Sequence, residues 1–229
     1  MNQMINFNII TLFPDFFTSA LQHSLLGKAV NRQLIRVNLI QLRDFAVNKH
    51  GQVDDTPYGG GHGMVLMIEP LQKALASIPE KSHRILLSPR GFLWNQKRCM
   101  ETYNKVSDGT LSLTLICGHY EGVDERVVEF IEESICIGDY ILSGGEPAAL
   151  VLIDSLARLA PGFMGNLESI HEESFQNPDF LEYPQYTKPA DYQSLKVPEV
   201  LLSGHHARIE QWRKEESIKA HKKFRSEQR

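Results

Sequence analysis

Three short segments combine glycine with polar or aromatic side chains, and each follows an apolar run typical of a strand. They are residues 88–91 (SPRG), 118–122 (GHYEG) and 138–145 (GDYILSGG). In open α/β sheets, ligands bind at the carboxyl ends of parallel strands. Glycines there let backbone N–H and C=O groups approach a ligand closely. We therefore expect the three segments to line one cleft, although three ordinary turns are the alternative interpretation.

The absence of two nucleotide-binding motifs limits the classes of ligand that we expect the cleft to bind. No GxGxxG joins a predicted strand to a helix, and no GxxxxGK[ST] is present, so a dinucleotide fold and a phosphate-binding nucleotide hydrolase are both disfavoured. A ligand held by backbone groups, without a basic phosphate site, fits an adenosine that carries no phosphate.

A fourth glycine cluster lies in residues 53–64 (VDDTPYGGGHGM). Its glycine content excludes the interior of a regular element. The segment is therefore either flexible or closes against a partner. The side chains of Asp54 and Asp55 argue against direct phosphate contact by these two residues.

Alternating strands and helices must position these segments. Their apolar spacing predicts a parallel α/β sheet covered on both faces. The predicted strands are 6–12, 34–42, 84–87, 111–117 and 134–137. The predicted helices are 15–30, 70–77, 94–106, 125–130 and 146–160, with a long loop at 43–64.

The chain changes character after residue 160. Residues 161–204 hold five prolines and few periodic apolar residues, so we expect an irregular segment there. A helical pattern follows Gly204, with Ile209, Trp212 and Ile218 roughly on one side. We predict a domain at 1–160, a linker at 161–180 and a small helical domain at 181–229.

Charge and composition limit the classes of function that fit this sequence. The net charge is −4, but residues 205–229 carry eight Lys/Arg and four Asp/Glu, which leaves −8 for residues 1–204. This basic tail either contacts phosphates or forms a solvated helix face. The sequence contains no run of about 18 apolar residues, so we expect no membrane span, and its N-terminal residues argue against a secretory signal. We expect a cytoplasmic protein with three buried free thiols, Cys99, Cys117 and Cys136.

Six segments, in this order, resemble the bacterial tRNA (guanine-N1)-methyltransferase (TrmD) family. They are VDDTPYGGGHGM (53–64), LLSPRG (86–91), CGHYEGVDERV (117–127), IGDYILSGGE (137–146), LIDSLARLAPG (152–162) and VPEVLLSGHHARIEQWR (197–213). The resemblance implies a SPOUT-type parallel sheet with a deep trefoil knot, plus a small all-helical C-terminal domain that grips tRNA. It also implies a homodimer with donor sites at the subunit interface, and methylation of guanine N1 at tRNA position 37 by S-adenosylmethionine.

The resemblance also implies which residues act. The donor pocket would consist of Leu87, Ser88, Pro89, Gly118, Tyr120, Glu121, Gly122, Ile137, Gly138, Tyr140, Leu142, Gly144 and Gly145. Guanine N1 carries a proton, so a carboxylate must accept it while a cation stabilises charge on O6. Arg158 matches the family's arginine, and Glu173 stands where many members have aspartate, with Glu172 as the rival.

The remaining expectations concern one altered residue of the pocket, a metal requirement and two alternative functions. His119 stands where the family commonly has arginine. A Mg²⁺ requirement carries over, but no acidic cluster indicates a fixed metal site. Two alternatives stay open: a knotted methyltransferase acting on another RNA position or a ribose 2′-hydroxyl, and a non-catalytic RNA-binding protein.

Overall fold

The chain forms two compact units. The computed structural model describes residues 4–79, 81–164, 174–175 and 181–227. The units are Met1–Gly165 and Asn166–Arg229. All three predicted glycine segments lie in the first unit. The finer division into a domain, a linker and a C-terminal domain stays a prediction.

A five-stranded sheet forms the centre of the first unit. Its strands are β1 (Ile5–Thr11), β2 (Ile35–Gln41), β5 (Ser82–Leu93), β6 (Ser112–Cys117) and β7 (Glu133–Cys136); the two-residue strands β3 (Asp54–Asp55) and β4 (Val65–Leu66) pair with each other outside it. The order is β2-β1-β6-β5-β7, and every neighbouring pair is parallel. The predicted parallel α/β architecture is confirmed.

Helices cover the sheet and join its strands. They are α1 (Thr18–Gln22), α2 (Ser24–Asn31), α3 (Ile68–Ala76), α4 (Gln96–Val106) and α5 (Glu146–Ala157), with 3₁₀ turns at Pro14–Phe17, Leu42–Phe45 and Glu125–Phe130. The single helix predicted over 15–30 is wrong. His23 is extended, with φ −121° and ψ 166°, and Ser24 has φ +57°, so the helical hydrogen bonds are interrupted between α1 and α2.

The core lies on both faces of the sheet because successive strand residues point to opposite sides. Ile9 and Leu115 pack into one cluster with α2, α4 and α5. Ile10 and Ile116, their chain neighbours, pack into the other cluster with α3. This explains why the central strands are apolar throughout rather than alternating.

Strand β5 is longer than the predicted 84–87 and leaves the sheet for part of its length. Leu87 and Phe92 both pair with Ile135 of β7, so residues 88–91 are displaced from the ladder. The backbone at Gly91 returns so close to β7 that an added Cβ would lie 2.5 Å from carbonyl carbons of Ser134 and Ile135. The first glycine segment is therefore an excursion within a strand rather than a terminal turn.

The second unit contains a small hairpin and two helices. They are β8 (Asp191–Tyr192), β9 (Leu195–Lys196), α6 (Glu199–Leu202) and α7 (His206–Glu227). Trp212 of α7 is partly buried between the rings of Tyr183 and Tyr186, at centroid distances of 6.4 and 6.3 Å. Ile218 of the same helix is 54% exposed. The described part of the chain contains no helix long and apolar enough to cross a membrane.

The three cysteines are free and buried, as predicted. Burial raises the pKa of the Cys99 thiol to about 11, and that of Cys117 well above its ordinary value. Since the thiolate is the reactive form, we expect the folded protein to react with an aromatic disulfide reagent at least ~100-fold more slowly than the urea-unfolded chain. Time-resolved absorbance at pH 8 measures this, and fast labelling of one thiol in the folded protein would contradict it.

Candidate active site

A cleft opens where the excursion at 88–91 of β5 meets the loops that follow the carboxyl ends of β6 and β7, so that the three glycine segments lie together. Its volume is about 340 Å³, within the range of small-molecule sites. All thirteen residues predicted to form the donor pocket line it: Leu87, Ser88, Pro89, Gly118, Tyr120, Glu121, Gly122, Ile137, Gly138, Tyr140, Leu142, Gly144 and Gly145. Three segments that are distant in the sequence thus form one concave surface.

Backbone contacts hold the second and third glycine segments together. The Gly145 N–H donates to the Gly118 carbonyl at 2.9 Å, and His119 pairs with Gly144 in an isolated antiparallel bridge. A Cβ at Gly145 would lie 2.7 Å from the Cys117 Cα. Glycine is required at position 145 because two backbones approach too closely for any side chain between them.

Two tyrosines face the cleft from opposite segments. Tyr120 and Tyr140 are 45% and 54% exposed, which leaves ring surface available to a planar ligand. Tyr120 has φ +59°, an unusual conformation for a residue with a side chain. The Tyr140 hydroxyl donates to the Ile137 carbonyl at 3.2 Å, and this bond fixes its ring beside Gly138.

The cleft is poor in cations. Arg90 is the only lysine or arginine among the described lining residues, and it forms an ion pair with Glu125. Glu121 adds a carboxylate to the lining. Because the described lining residues include no cluster of unpaired lysine or arginine side chains, this part of the site suits a ligand without phosphates.

The fourth glycine cluster forms part of a hairpin attached to the cleft wall. The Glu121 N–H donates to the Met64 carbonyl at 3.0 Å, and Leu66 exchanges backbone hydrogen bonds with Gly122 and Asp124. The tip is exposed, with Tyr58 fully accessible to solvent. The base of the cluster is therefore fixed against the second glycine segment, a contact that its composition did not predict.

Several lining residues were not predicted. They are Leu86, Arg90, His119, Val123, Ile135, Cys136, Ile141, Ser143 and Ala148. All of them lie within or next to the predicted segments, so taking each strand end together with its whole following loop would have included most of them.

Comparisons of the sequence with protein-family models and with curated proteins show which family the chain resembles. The family model described as tRNA (Guanine-1)-methyltransferase TrmD matches residues 5–228. The chain belongs to this family. Curated proteins named tRNA (guanine-N(1)-)-methyltransferase include one from Metamycoplasma arthritidis, 49% identical over 92% of this chain and 89% of the relative. The protein of the same name from Carboxydothermus hydrogenoformans is 51% identical over 92% of this chain and 82% of the relative. The one from Brevibacillus brevis is also 51% identical, over 93% of this chain and 86% of the relative.

The catalytic arginine expected for a TrmD-family chain does not reach the cleft of its own chain. Arg158 follows the last residue of α5, whereas Gly145 precedes the first. At 1.5 Å per residue, about 20 Å of helix axis separates them. Arg158 is partly buried and acts electrostatically on the Cys99 thiol of α4. The structure therefore does not bring Arg158 together with the thirteen cleft residues.

Two further expectations for a TrmD-family chain concern the proton acceptor and a metal ion. Glu173 and its rival Glu172 lie outside the described residues. Within the described residues, no group of three or more His, Cys, Asp or Glu side chains could hold a metal ion, and a role for Mg²⁺ stays a prediction.

Proposed function

We propose that this protein transfers a methyl group from S-adenosylmethionine to N1 of guanine 37 in tRNA. Membership of the TrmD family supports the reaction. The observation that carries the proposal is the convergence of thirteen predicted donor-pocket residues on one cleft. The close backbone approach at Gly145 and the exposed tyrosine rings suit a flat, uncharged adenine held by backbone groups.

Different residues of this chain would carry out the separate steps of methyl transfer. The cleft binds S-adenosylmethionine, which supplies an electrophilic methyl group. The carboxylate of Glu173 accepts the N1 proton of guanine, which turns N1 into a nucleophile. The guanidinium of Arg158 donates hydrogen bonds to O6, where negative charge develops as the proton leaves. The glycine-rich walls exclude water from the methyl group.

The position of Arg158 favours a homodimer with shared sites. A guanidinium about 20 Å along a helix from its own cleft cannot touch a guanine bound there. A two-fold axis would instead bring Arg158 of a second copy to the cleft, since each surface of such a dimer meets its equivalent. We therefore propose that each site combines the donor cleft of one copy with Arg158 of the other.

We further propose the knot and the tRNA-binding role of the C-terminal part. The displaced segment 88–91 and the contact of Gly91 with β7 fit a chain that passes through its own fold. Helix α7 carries most of the eight Lys/Arg residues between 205 and 229. These side chains would contact the phosphates of tRNA.

An unmodified tRNA transcript with guanine just 3′ of the anticodon tests the function. We expect donor-dependent formation of 1-methylguanosine at that position, detected by nuclease digestion and mass spectrometry. A transcript with adenine there should be inert, because adenine N1 lacks the proton and the O6 that the site requires. A methyl group on ribose or at another position would favour a different knotted methyltransferase, and absence of donor binding would favour a non-catalytic RNA-binding protein.

A further inference from the structure

A buried carboxylate lies directly behind the candidate donor cleft. Glu146, the first residue of α5, is only 4% exposed. It follows the third glycine segment, and Gly144, Gly145 and Ala148 around it all line the cleft, while Glu146 itself does not. Buried carboxylates are rare because removing a charge from water costs free energy. A glutamate at this place therefore calls for a functional explanation.

The two carboxylate oxygens of Glu146 have different surroundings. Oε1 accepts a hydrogen bond from the Thr11 hydroxyl at 2.7 Å, and Thr11 accepts one from the Phe13 N–H at 2.9 Å. Oε2 faces the backbone of Gly144, where it would touch any added Cβ; the Nδ1 atom of His119 lies 2.8 Å from the same position. Oε2 therefore lies against Gly144, a residue that lines the cleft.

The Glu146 carboxylate lies at the N-terminus of α5 and accepts a hydrogen bond from a hydroxyl group. A helix N-terminus and a hydroxyl donor both stabilise a carboxylate. Besides burial, this charge contributes to the raised pKa of the neighbouring Cys117 thiol. In the part of the chain that the structure describes, no lysine or arginine forms an ion pair with Glu146, and the buried Nδ1 of His119 makes no hydrogen bond. Its negative field therefore extends into the cleft.

We propose that Glu146 is a specificity-determining residue that favours the positively charged methyl donor over the neutral product. The inference rests on the proposed function. S-adenosylmethionine carries a sulfonium cation, and methyl transfer converts it to the uncharged thioether S-adenosylhomocysteine. A buried carboxylate behind the cleft wall attracts the sulfonium cation and not the neutral thioether. This difference promotes binding of the donor and release of the product.

Other charges around the cleft act more weakly because they are solvated. Glu121, Asp139 and Arg90 are exposed, and Arg90 is paired with Glu125. Exposed charges are screened by water and salt, whereas a buried charge interacts through a medium of lower dielectric constant.

Calorimetric binding of three ligands tests the proposal. They are S-adenosylmethionine, sinefungin (in which an ammonium replaces the sulfonium) and S-adenosylhomocysteine. In Glu146→Gln, whose amide oxygen can still accept from Thr11, we expect both cations to bind about tenfold more weakly relative to the neutral product. The matched control Asp139→Asn neutralises an exposed carboxylate of the same segment and should change this ratio less than about twofold.

Each outcome has a distinct meaning. Equal weakening of all three ligands in Glu146→Gln would show a merely structural role and overturn the proposal. If the wild-type protein binds none of the ligands, the proposed function itself fails. A salt series on the wild type covers the case in which Glu146→Gln does not fold. A sinefungin preference that persists from about 0.05 to 0.5 M salt supports a buried charge, and one that disappears assigns it to exposed carboxylates.

Discussion

Replacement of Arg158 by alanine is expected to slow methyl transfer by about 10²–10³-fold while leaving the Kd for S-adenosylmethionine within about twofold. The rate falls because the variant lacks the cation that stabilises negative charge developing on guanine O6. Donor affinity should persist because the proposed partner of the Arg158 guanidinium is guanine O6 and not the methyl donor. Single-turnover rates with saturating tRNA, together with calorimetry, measure the two quantities. Arg36→Ala, an exposed arginine of β2, is the control and should retain activity.

A mixing experiment distinguishes shared sites from self-contained ones. Arg158→Ala is combined with a cleft variant carrying Tyr120→Ala and Tyr140→Ala, and each variant alone should be inactive. If Arg158 acts on the other copy, half of the random dimers regain one of their two sites, and about a quarter of the activity returns. If Arg158 serves its own cleft, no mixed dimer contains a complete site. Absence of recovery would therefore exclude the shared arrangement.

Glu173 provides a companion test of the proton acceptor. Glu173→Ala should slow transfer by about 10²–10⁴-fold, again with donor affinity preserved. Glu173→Asp keeps the carboxylate and should retain far more activity, which separates proton transfer from a packing role. If Glu173→Ala keeps full activity and Glu172→Ala does not, the acceptor is Glu172.

Replacement of Gly91 by alanine is expected to cost at least ~3 kcal/mol of the free energy of unfolding. An added Cβ would lie 2.5 Å from backbone carbon atoms of Ser134 and Ile135. The backbones of two paired strands cannot move aside as the end of a flexible side chain can. Overpacking of this kind typically costs 1–3 kcal/mol or more, and here β5 must separate from β7 to relieve it. Urea denaturation followed by circular dichroism measures the change.

Gly118→Ala is the matched control for this prediction. Its added Cβ would lie 3.6 Å from Val123 and 3.8 Å from the Leu87 carbonyl oxygen, which are ordinary contacts. We expect a stability change below about 1 kcal/mol, although donor binding should weaken because the methyl group enters the cleft wall. Equal stability of the two variants would mean that β5 and β7 do not approach as closely as described.

The sequence by itself determined the parallel sheet, its order of strands and helices along the chain, and the three segments that form the cleft. These features are encoded locally: apolar runs bury both faces of a strand, and glycine follows where a backbone must approach closely. The family resemblance then assigned thirteen residues to one pocket, and the fold brings all thirteen to one cleft.

Only the tertiary structure decided how distant segments meet. The excursion at 88–91 depends on β7, some 45 residues later, so no local pattern could indicate it. The break at Ser24 interrupts a helix whose apolar spacing continues across it, and Ile218 is exposed although Trp212 of the same helix is partly buried. The charge of Glu146 acquires meaning only because Thr11 and Gly144 enclose it beside the cleft. Packing between elements decides these features, since burial and electrostatics depend on neighbours that the chain brings together only on folding.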